Sequence, residues 1–133
     1  MTSSAEPRWI SKSVVLAIHD EQLAEHGGGR GLRDDSLLEA ALARPRHLFH
    51  YVDAPDLAAL AAAYAYGLAR DHPFKHGNTR TSFVVCELFL ALNGMELGLD
   101  DAQVVSTWLT LASGGMMETE LAARLRSALR AVE

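Results

Sequence analysis

The sequence predicts an all-α fold, in which about six helices form a compact bundle around a buried central helix and one short segment forms an extended flap. The composition supports this prediction, because 49% of residues are hydrophobic and alanine and leucine, two strong helix formers, dominate. Apolar residues also recur at spacings of three and four between breaks that contain glycine or proline. The length of 133 residues suits one hydrophobic core, so we expect a single domain over residues 1–133.

Composition and charge also exclude several classes of function. The net charge of −5 argues against a broad nucleic-acid-binding face, although it allows a local anion pocket. Cys86 is the single cysteine and lies in an apolar helix, so we expect it to be buried and without a disulfide partner in the chain. The polar first residues indicate no signal peptide, and no apolar run reaches the roughly 20 residues of a membrane span. We therefore expect a cytoplasmic protein with no direct nucleic-acid or membrane partner.

The first helix is predicted over residues 13–26, after a loose N-terminal segment. Ser11 or Ser13 can cap its start, and a run of three glycines ends it. Its inward side is expected to consist of Val14, Val15, Ile18 and Leu23. The polar pair His19 and Asp20 is expected at the solvated edge of this helix.

A second helix is predicted over residues 35–44, with Asp34 or Asp35 as its N-cap. Pro45 is expected to end it, because proline removes a helical hydrogen bond and clashes with the preceding turn. Arg33 lies just before the cap, and together with Asp34 it either orients the turn or has a functional role.

Residues 46–53 do not continue the helical pattern. They include aromatic and β-prone residues, so a short extended flap is predicted here. The alternative is an ordinary connecting loop. Two histidines of this segment, His47 and His50, are on their own only weak indications of a metal site.

Three further helices follow from the spacing of apolar residues. One is predicted over residues 56–71, with Pro55 near its first position, and its alanine-rich sequence implies close packing against a neighbour. The others are predicted over residues 101–112, capped by one of the two aspartates at its start, and over residues 117–131. The last helix carries arginines that are expected to form a solvated face: Arg124, Arg126 and Arg130.

Residues 71–94 combine a tight loop with the most apolar helix of the chain. This helix is predicted to begin at Asn78 or Thr79 and to end at Asn93–Gly94. Its apolar part carries one charged residue, Glu87. Because a helix without a polar face is normally the buried centre of a domain, we expect it to be the central helix.

The start of this helix has the features of a phosphate site. Its free backbone N–H groups point toward the loop, and helix N-termini attract anions. Arg80 lies in the first turn, where it repels the positive helix end, and a bound anion would offset that cost; its guanidinium suits bidentate phosphate binding. His72 lies just before the loop and can act as a base near pH 7. Together these features indicate transfer of a phosphate-containing group to a hydroxyl.

The segment from His72 to Arg80, His-Pro-Phe-Lys-His-Gly-Asn-Thr-Arg, resembles the core motif of the Fic/Doc family, His-x-Phe-x-acidic-Gly/Ala-Asn-x-Arg. The segments Gly31–Asp34 and Leu38–Pro45 look like those of the death-on-curing (Doc) toxin branch, and together with Trp9 and His19-Asp20 the resemblance covers most of the chain. It implies a toxin that transfers the terminal phosphate of ATP to a serine or threonine hydroxyl of a translation protein, elongation factor Tu, and so arrests growth. It also implies a cognate, Phd-like antitoxin that folds over the site.

The resemblance assigns roles to the motif residues. His72 would be the general base, and phosphates would be held by Lys75, Gly77, Asn78, Thr79 and Arg80. Two of these have an ordinary structural alternative. Asn78 could be the helix N-cap, and Arg80 could form a surface salt bridge with Asp71 or Glu87.

The resemblance also assigns roles outside the phosphate site. Phe74 would be an anchor that pins the loop into the core. The flap would line the site and position the protein target by β-strand addition. His19 and Asp20 would be packing or target-surface residues rather than catalysts.

One departure from the motif concerns the metal. His76 occupies the acidic position that normally holds Mg²⁺, and imidazole is a poor ligand for this hard cation. We therefore expect weakened Mg²⁺ binding, a different ion arrangement or an impaired enzyme; protonated His76 could instead contact phosphate. A zinc pair of His72 and His76 is disfavoured, because Pro73 and Gly77 prevent their helical alignment.

The second departure is Thr79. AMP-transferring members have glycine there and a second arginine three residues after the first, where this chain has Phe83. Doc-type members commonly have lysine at the Thr79 position and also lack the second arginine. The resemblance therefore favours the kinase-type reaction with the nucleotide reversed. AMP transfer by His72 and a catalytically impaired module that binds an antitoxin are the alternatives.

Overall fold

The chain folds mainly into helices, as its composition predicts. The computed structural model describes residues 6–53 and 55–132, so most of the loose terminus expected before Trp9 lies outside the described residues. That part of the chain contains six α-helices and one antiparallel pair of short strands. In order they are α1 (Lys12–His26), α2 (Asp35–Tyr51), α3 (Leu57–Asp71), α4 (Asn78–Leu92), β1 (Met95–Leu97), α5 (Asp101–Ala112), α6 (Glu118–Ala128) and β2 (Leu129–Ala131). The all-α prediction is confirmed.

The most deeply buried helix is α3, rather than α4, the predicted central helix. Ten of the 15 residues of α3 are buried, against seven of 15 in α4, and α3 packs against α2, α4, α5 and α6. Small side chains explain this position, because they let neighbouring helices approach closely: a Cβ atom at Gly67 would lie 3.1 Å from Ala41 of α2. In α4, by contrast, Arg80, Glu87 and Leu92 are exposed.

Side-chain caps fix four helix starts. The side chains of Ser11, Asp34, Asp56 and Asp100 each accept a backbone N–H from the first turn of the helix that follows. These caps confirm the predicted starts of α2 and α5, whereas α1 begins at Lys12, one residue before the predicted start, with Ser11 as its cap. The start of α3 differs by one residue, because Asp56 is the cap itself and Pro55 precedes it instead of opening the helix.

The predicted end of α2 at Pro45, and with it the extended flap over residues 46–53, is wrong. The helix continues through Pro45 to Tyr51. Tertiary packing explains the continuation, because Leu48 and Phe49 lie on the next turn and pack onto the core. Phe49 meets Trp9 edge-to-face at 5.7 Å between ring centroids. Burial of these side chains outweighs the one helical hydrogen bond that proline removes.

The last helix is shorter than predicted. Helix α6 ends at Ala128, and Leu129–Ala131 pairs with Met95–Leu97 as the two-stranded sheet. The segment after α4 therefore supplies a partner strand for the end of the chain. An isolated helical pattern gives no sign of such a partner, since strand pairing depends on a segment that lies far away in sequence.

The arginines expected on a solvated face of α6 are exposed, but they have partners. Arg126 binds the carboxylate of Asp56 with two N–H groups, at 2.5 and 3.0 Å. Arg130 donates to Glu96 across the strand pair, and Arg124 donates to Thr107 of α5. These contacts link the end of the chain to α3, β1 and α5.

The composition predicts a buried Cys86 and no membrane-spanning helix. Cys86 is fully buried, as predicted, and burial raises the pKa of its thiol well above the usual range. None of the helices in residues 6–53 and 55–132 is long and apolar enough to cross a membrane.

The Asp56 carboxylate should make folding stability depend on pH. Its hydrogen bonds with Arg126 hold its pKa below the usual value, so its contribution is present above the unfolded-state pKa and is lost as pH falls through the folded-state pKa. Asp56→Ala should lower the free energy of unfolding by about 1 kcal/mol at pH 7, mainly through loss of the helix cap. Urea unfolding between pH 3 and pH 7 measures this effect.

The matched control for this prediction is Asp53→Ala, which removes an exposed carboxylate three residues earlier. It should leave stability within about 0.5 kcal/mol of wild type. Equal losses for both variants at pH 7 would contradict the assigned role of Asp56, and so would an Asp56→Ala variant that keeps the full acid dependence of the wild type.

Candidate active site

His72 ends α3 in an uncommon backbone conformation. Its φ and ψ angles are 50° and 58°, in the left-handed region. Across the described ranges it is the one residue other than glycine with a positive φ. Such a conformation costs on the order of 1 kcal/mol for a residue with a side chain, so the surrounding structure must hold it. The imidazole is exposed, so it is open to a substrate.

The loop after His72 is held from one side by the turn that precedes α2. The carbonyl of Pro73 accepts the backbone N–H groups of Arg33 and Asp34, at 2.7 and 3.1 Å. Two residues further on, the N–H of Lys75 donates to Gly31. Together these bonds fix residues 73–75 against residues 31–34 in a β-like arrangement.

Phe74 and Asn78 close the loop on itself. Phe74 is 1% exposed and belongs to the core. The side chain of Asn78 accepts the N–H of Phe74 at 3.0 Å and donates to its carbonyl at 2.9 Å. The N-cap of α4 is Gly77, with a φ of +80°, and not Asn78. The Asn78 amide therefore holds the frame of the loop.

His19 lies underneath the same loop. It is 2% exposed, so the prediction of a solvated edge is wrong for this residue, while Asp20 is exposed. Its ring stacks on Phe74 with 3.7 Å between centroids, and its Nε2–H donates to the carbonyl of His76 at 2.8 Å. Helical spacing could have indicated this burial, because His19 lies four residues from both Val15 and Leu23.

The side chain of His76 is tied to the glycine run after α1. Its Nδ1 accepts the backbone N–H of Gly29 at 2.7 Å. The approach is close, since a Cβ atom at Gly29 would lie 2.8 Å from that nitrogen. The glycine run therefore ends α1 and also leaves room for the ring of His76.

The residues present at the family's metal position do not fit Mg²⁺. His76 offers a nitrogen that already accepts a hydrogen bond, whereas Mg²⁺ prefers oxygen ligands. Outside residues 1–5, Ala54 and Glu133, no group of three or more His, Cys, Asp or Glu side chains is arranged to hold a metal ion. The zinc pair of His72 and His76 is likewise disfavoured, because Nδ1 of His76 already accepts the N–H of Gly29.

The first turn of α4 offers free donors. No side chain caps this helix, so its first backbone N–H groups point toward the loop without a side-chain partner. The guanidinium of Arg80 is exposed and reaches only the carbonyl of Gly27, at 3.5 Å. In the described part of the chain it forms no ion pair, so neither Asp71 nor Glu87 is its partner. Thr79 is half-buried beside it, and Lys75 is exposed on the loop.

An open cavity of about 400 Å³ adjoins Arg80 between α1, α4 and α5. Its walls are mainly apolar, and Phe83 meets Trp108 edge-to-face at 5.0 Å within them. The lining residues are Gln22, His26, Thr79, Arg80, Phe83, Val84, Val104, Val105, Trp108 and Leu109. Sequence reasoning missed the part of this wall that α5 supplies, because valine and tryptophan at helical spacing indicate a core face equally well.

The sequence profile described as "Fic/DOC family" matches residues 9–90, which include the loop, the first turn of α4 and the turn before α2. The chain belongs to the Fic/Doc family. Protein kinase doc of Escherichia phage P1 is 30% identical over 119 residues, which cover 90% of this chain and 94% of the phage protein. Toxin Doc of Mycolicibacterium smegmatis (strain ATCC 700084 / mc(2)155) is 44% identical over 75 residues, or 56% of this chain and 58% of that toxin. These relatives support the Doc toxin branch and a protein-modifying enzyme.

In this Fic/Doc chain the motif residues differ in exposure. Phe74 and Asn78 are buried and hold the loop, whereas His72, Lys75, His76 and Arg80 are exposed. The exposed residues present two cationic side chains and two imidazoles on the loop and on the first turn of the uncapped helix α4. Chemically, this arrangement can bind an anion and accept a proton beside it.

Replacement of His19 tests the frame below the loop. His19→Ala should lower the free energy of unfolding by about 2–4 kcal/mol, because it leaves a cavity against Phe74 and removes the donor to His76. Urea unfolding at pH 7 measures the change. Asp20→Ala, at the exposed neighbouring position, should change stability by less than about 0.5 kcal/mol. Similar small effects for both variants would contradict the framing role of His19.

Proposed function

We propose that this protein is a Doc-like toxin that transfers the terminal phosphate of ATP to a serine or threonine hydroxyl of a translation protein, with elongation factor Tu as the target. Membership of the family and the relatives named protein kinase doc and Toxin Doc support this class of activity. The observation that carries the proposal is Arg80 at the uncapped start of α4, which has no ion-pair partner among residues 6–53 and 55–132 and lies one loop away from the exposed imidazole of His72.

The proposed step needs a base and an anion site. The target hydroxyl attacks the γ-phosphorus, the bond from that phosphorus to the β,γ-bridging oxygen breaks, and ADP leaves. His72 takes the hydroxyl proton at a ring nitrogen, which makes the oxygen a better nucleophile. Arg80 and the first N–H groups of α4 hold phosphate oxygens and stabilise negative charge. Each of these functions belongs to a group of this chain, and none depends on His76 as a metal ligand.

The apolar cavity supports the reversed orientation of the nucleotide. Phe83 stands where AMP-transferring members have a second arginine, and it forms part of an apolar wall directly beyond Arg80. Such a wall suits a base and ribose better than a second phosphate. With the nucleoside in this cavity and the phosphates at the start of α4, the terminal phosphate would be the group near His72.

A toxin of this branch requires a partner that keeps it silent. The family relatives imply an antitoxin, and we propose that it is Phd-like, with a segment that folds on binding. The proposed target in translation places the activity in the cytoplasm.

Label transfer from ATP tests the proposed reaction. Purified protein is incubated with elongation factor Tu and with either γ-labelled or α-labelled ATP. Wild type should transfer γ label alone, and His72→Ala should reduce the rate about 10²- to 10⁴-fold, the range typical for loss of a general base. His50→Ala, which removes an exposed histidine at the end of α2, should retain the wild-type rate.

The other outcomes identify the competing functions. Transfer of α label that depends on His72 would establish AMP transfer and overturn the kinase-type proposal. Binding of ATP without transfer of either label would favour the impaired module, a reading that the histidine at the acidic motif position supports. In that case His76→Asp should restore transfer.

Replacement of Phe83 tests the orientation of the nucleotide. Phe83→Ala should raise the Kd of ATP about tenfold, equivalent to roughly 1.4 kcal/mol, because the nucleoside loses an aromatic contact. The Kd of inorganic tripolyphosphate should stay within about twofold of wild type, since the phosphates bind elsewhere. Titration calorimetry measures both constants.

Leu92→Ala is the control for this experiment, because Leu92 is an exposed apolar residue at the opposite end of α4. It should leave both constants unchanged. If Phe83→Ala weakens tripolyphosphate as strongly as ATP, or weakens neither, the nucleoside does not occupy the cavity.

A further inference from the structure

We propose that Arg33 is a positioning residue, which holds the backbone of His72 in the conformation from which the imidazole projects. The part of this inference that concerns the reaction rests on the proposed function, where His72 is the base. The part that concerns the backbone rests on contacts of Arg33 alone.

Arg33 reaches across the fold to the end of α3. Its Nε–H donates to the carbonyl of His72 at 2.7 Å, and its Nη2–H donates to the carbonyl of Asp71 at 2.8 Å. The last carbonyls of a helix have no helical N–H partner, and a charged donor near them is favourable. The planar fork of arginine can serve two neighbouring carbonyls at once, which lysine cannot do in the same geometry.

The end of α3 also lacks the usual backbone cap. A helix that ends in a left-handed residue usually bonds its last carbonyls to the N–H groups of that residue and the next one. Here the next residue is Pro73, which has no N–H, and within the described chain the N–H of His72 makes no such bond. At this helix end, where Pro73 excludes the usual backbone cap, Arg33 supplies donors to the carbonyls of Asp71 and His72.

The contacts also show that Arg33 does not merely stabilise its own turn. That task belongs to Asp34, whose carboxylate accepts the N–H groups of Ser36 and Leu37. The guanidinium of Arg33 instead bonds to residues 38 and 39 positions away. One of the two residues that Arg33 contacts is His72, which has the left-handed conformation. At most helix ends this conformation is adopted by glycine.

The first experiment separates positioning from binding. In the γ-label assay with elongation factor Tu, Arg33→Lys and Arg33→Gln should each lower kcat about 10- to 100-fold, the effect expected when a reacting group is misplaced by about 1 Å. The KM for ATP should stay within about threefold, because phosphate contacts at α4 are unchanged. Arg30→Lys is the matched control, since Arg30 is an exposed arginine of the same segment without a side-chain bond in the described residues, and it should behave as wild type.

The second experiment does not depend on activity. By NMR, Arg33→Gln should move the Cα and Cβ shifts of His72 away from their wild-type values. It should also speed amide exchange of Lys75 at least about tenfold, because its bond to Gly31 depends on the fixed loop. Exchange of Leu68, one turn earlier in α3, should change less than about twofold, and Arg30→Lys should change none of these signals.

The outcomes distinguish this inference from the proposed function. Unchanged His72 shifts and unchanged kcat in Arg33→Gln would overturn the positioning role, as would equal acceleration of exchange throughout α3. Wild-type protein without label transfer would overturn the proposed function, and the NMR comparison would then decide the role of Arg33 by itself.

Discussion

Phe74 lies buried beneath the short loop that joins α3 to α4, where His19 stacks on its ring and Asn78 bonds to both of its backbone polar groups. The remainder of the site depends on this burial. The buried ring anchors the loop to the core, and the chain turns into α4 at Gly77, which has the left-handed conformation. The start of α4 therefore faces the loop with its N–H groups free, a geometry that suits an anion.

The charges around the loop and the start of α4 favour binding of an anion, although they do not favour the stability of the helix. An arginine in the first turn of an uncapped helix opposes the helix dipole, and no carboxylate within the described residues compensates Arg80. At the acidic position of the family motif, His76 accepts a hydrogen bond from Gly29 and adds no negative charge. The site therefore has one acidic group fewer than the family motif, and phosphate is the ligand class that would stabilise its exposed Arg80 most.

Local sequence signals proved reliable for helix starts and less reliable for helix ends. Aspartate and serine caps were predictable because each cap bonds to residues two or three positions ahead. Pro45 did not end α2, and Leu129–Ala131 did not remain helical, because distant partners decided both cases: the core for Leu48 and Phe49, and β1 for the last strand. The central position of α3 also depends on packing between helices. Its small side chains permit closer packing than the larger apolar side chains of α4.

The sequence by itself determined the helical class, most helix starts, the motif loop and the candidate roles of His72 and Arg80, because these depend on residue type and short spacing. Only the tertiary structure decided that His19 supports the loop, that Gly29 receives His76 and that Arg33 caps α3. Each of these contacts joins residues 38 to 57 positions apart. No periodicity encodes such pairs, since the partners meet only when the helices between them pack.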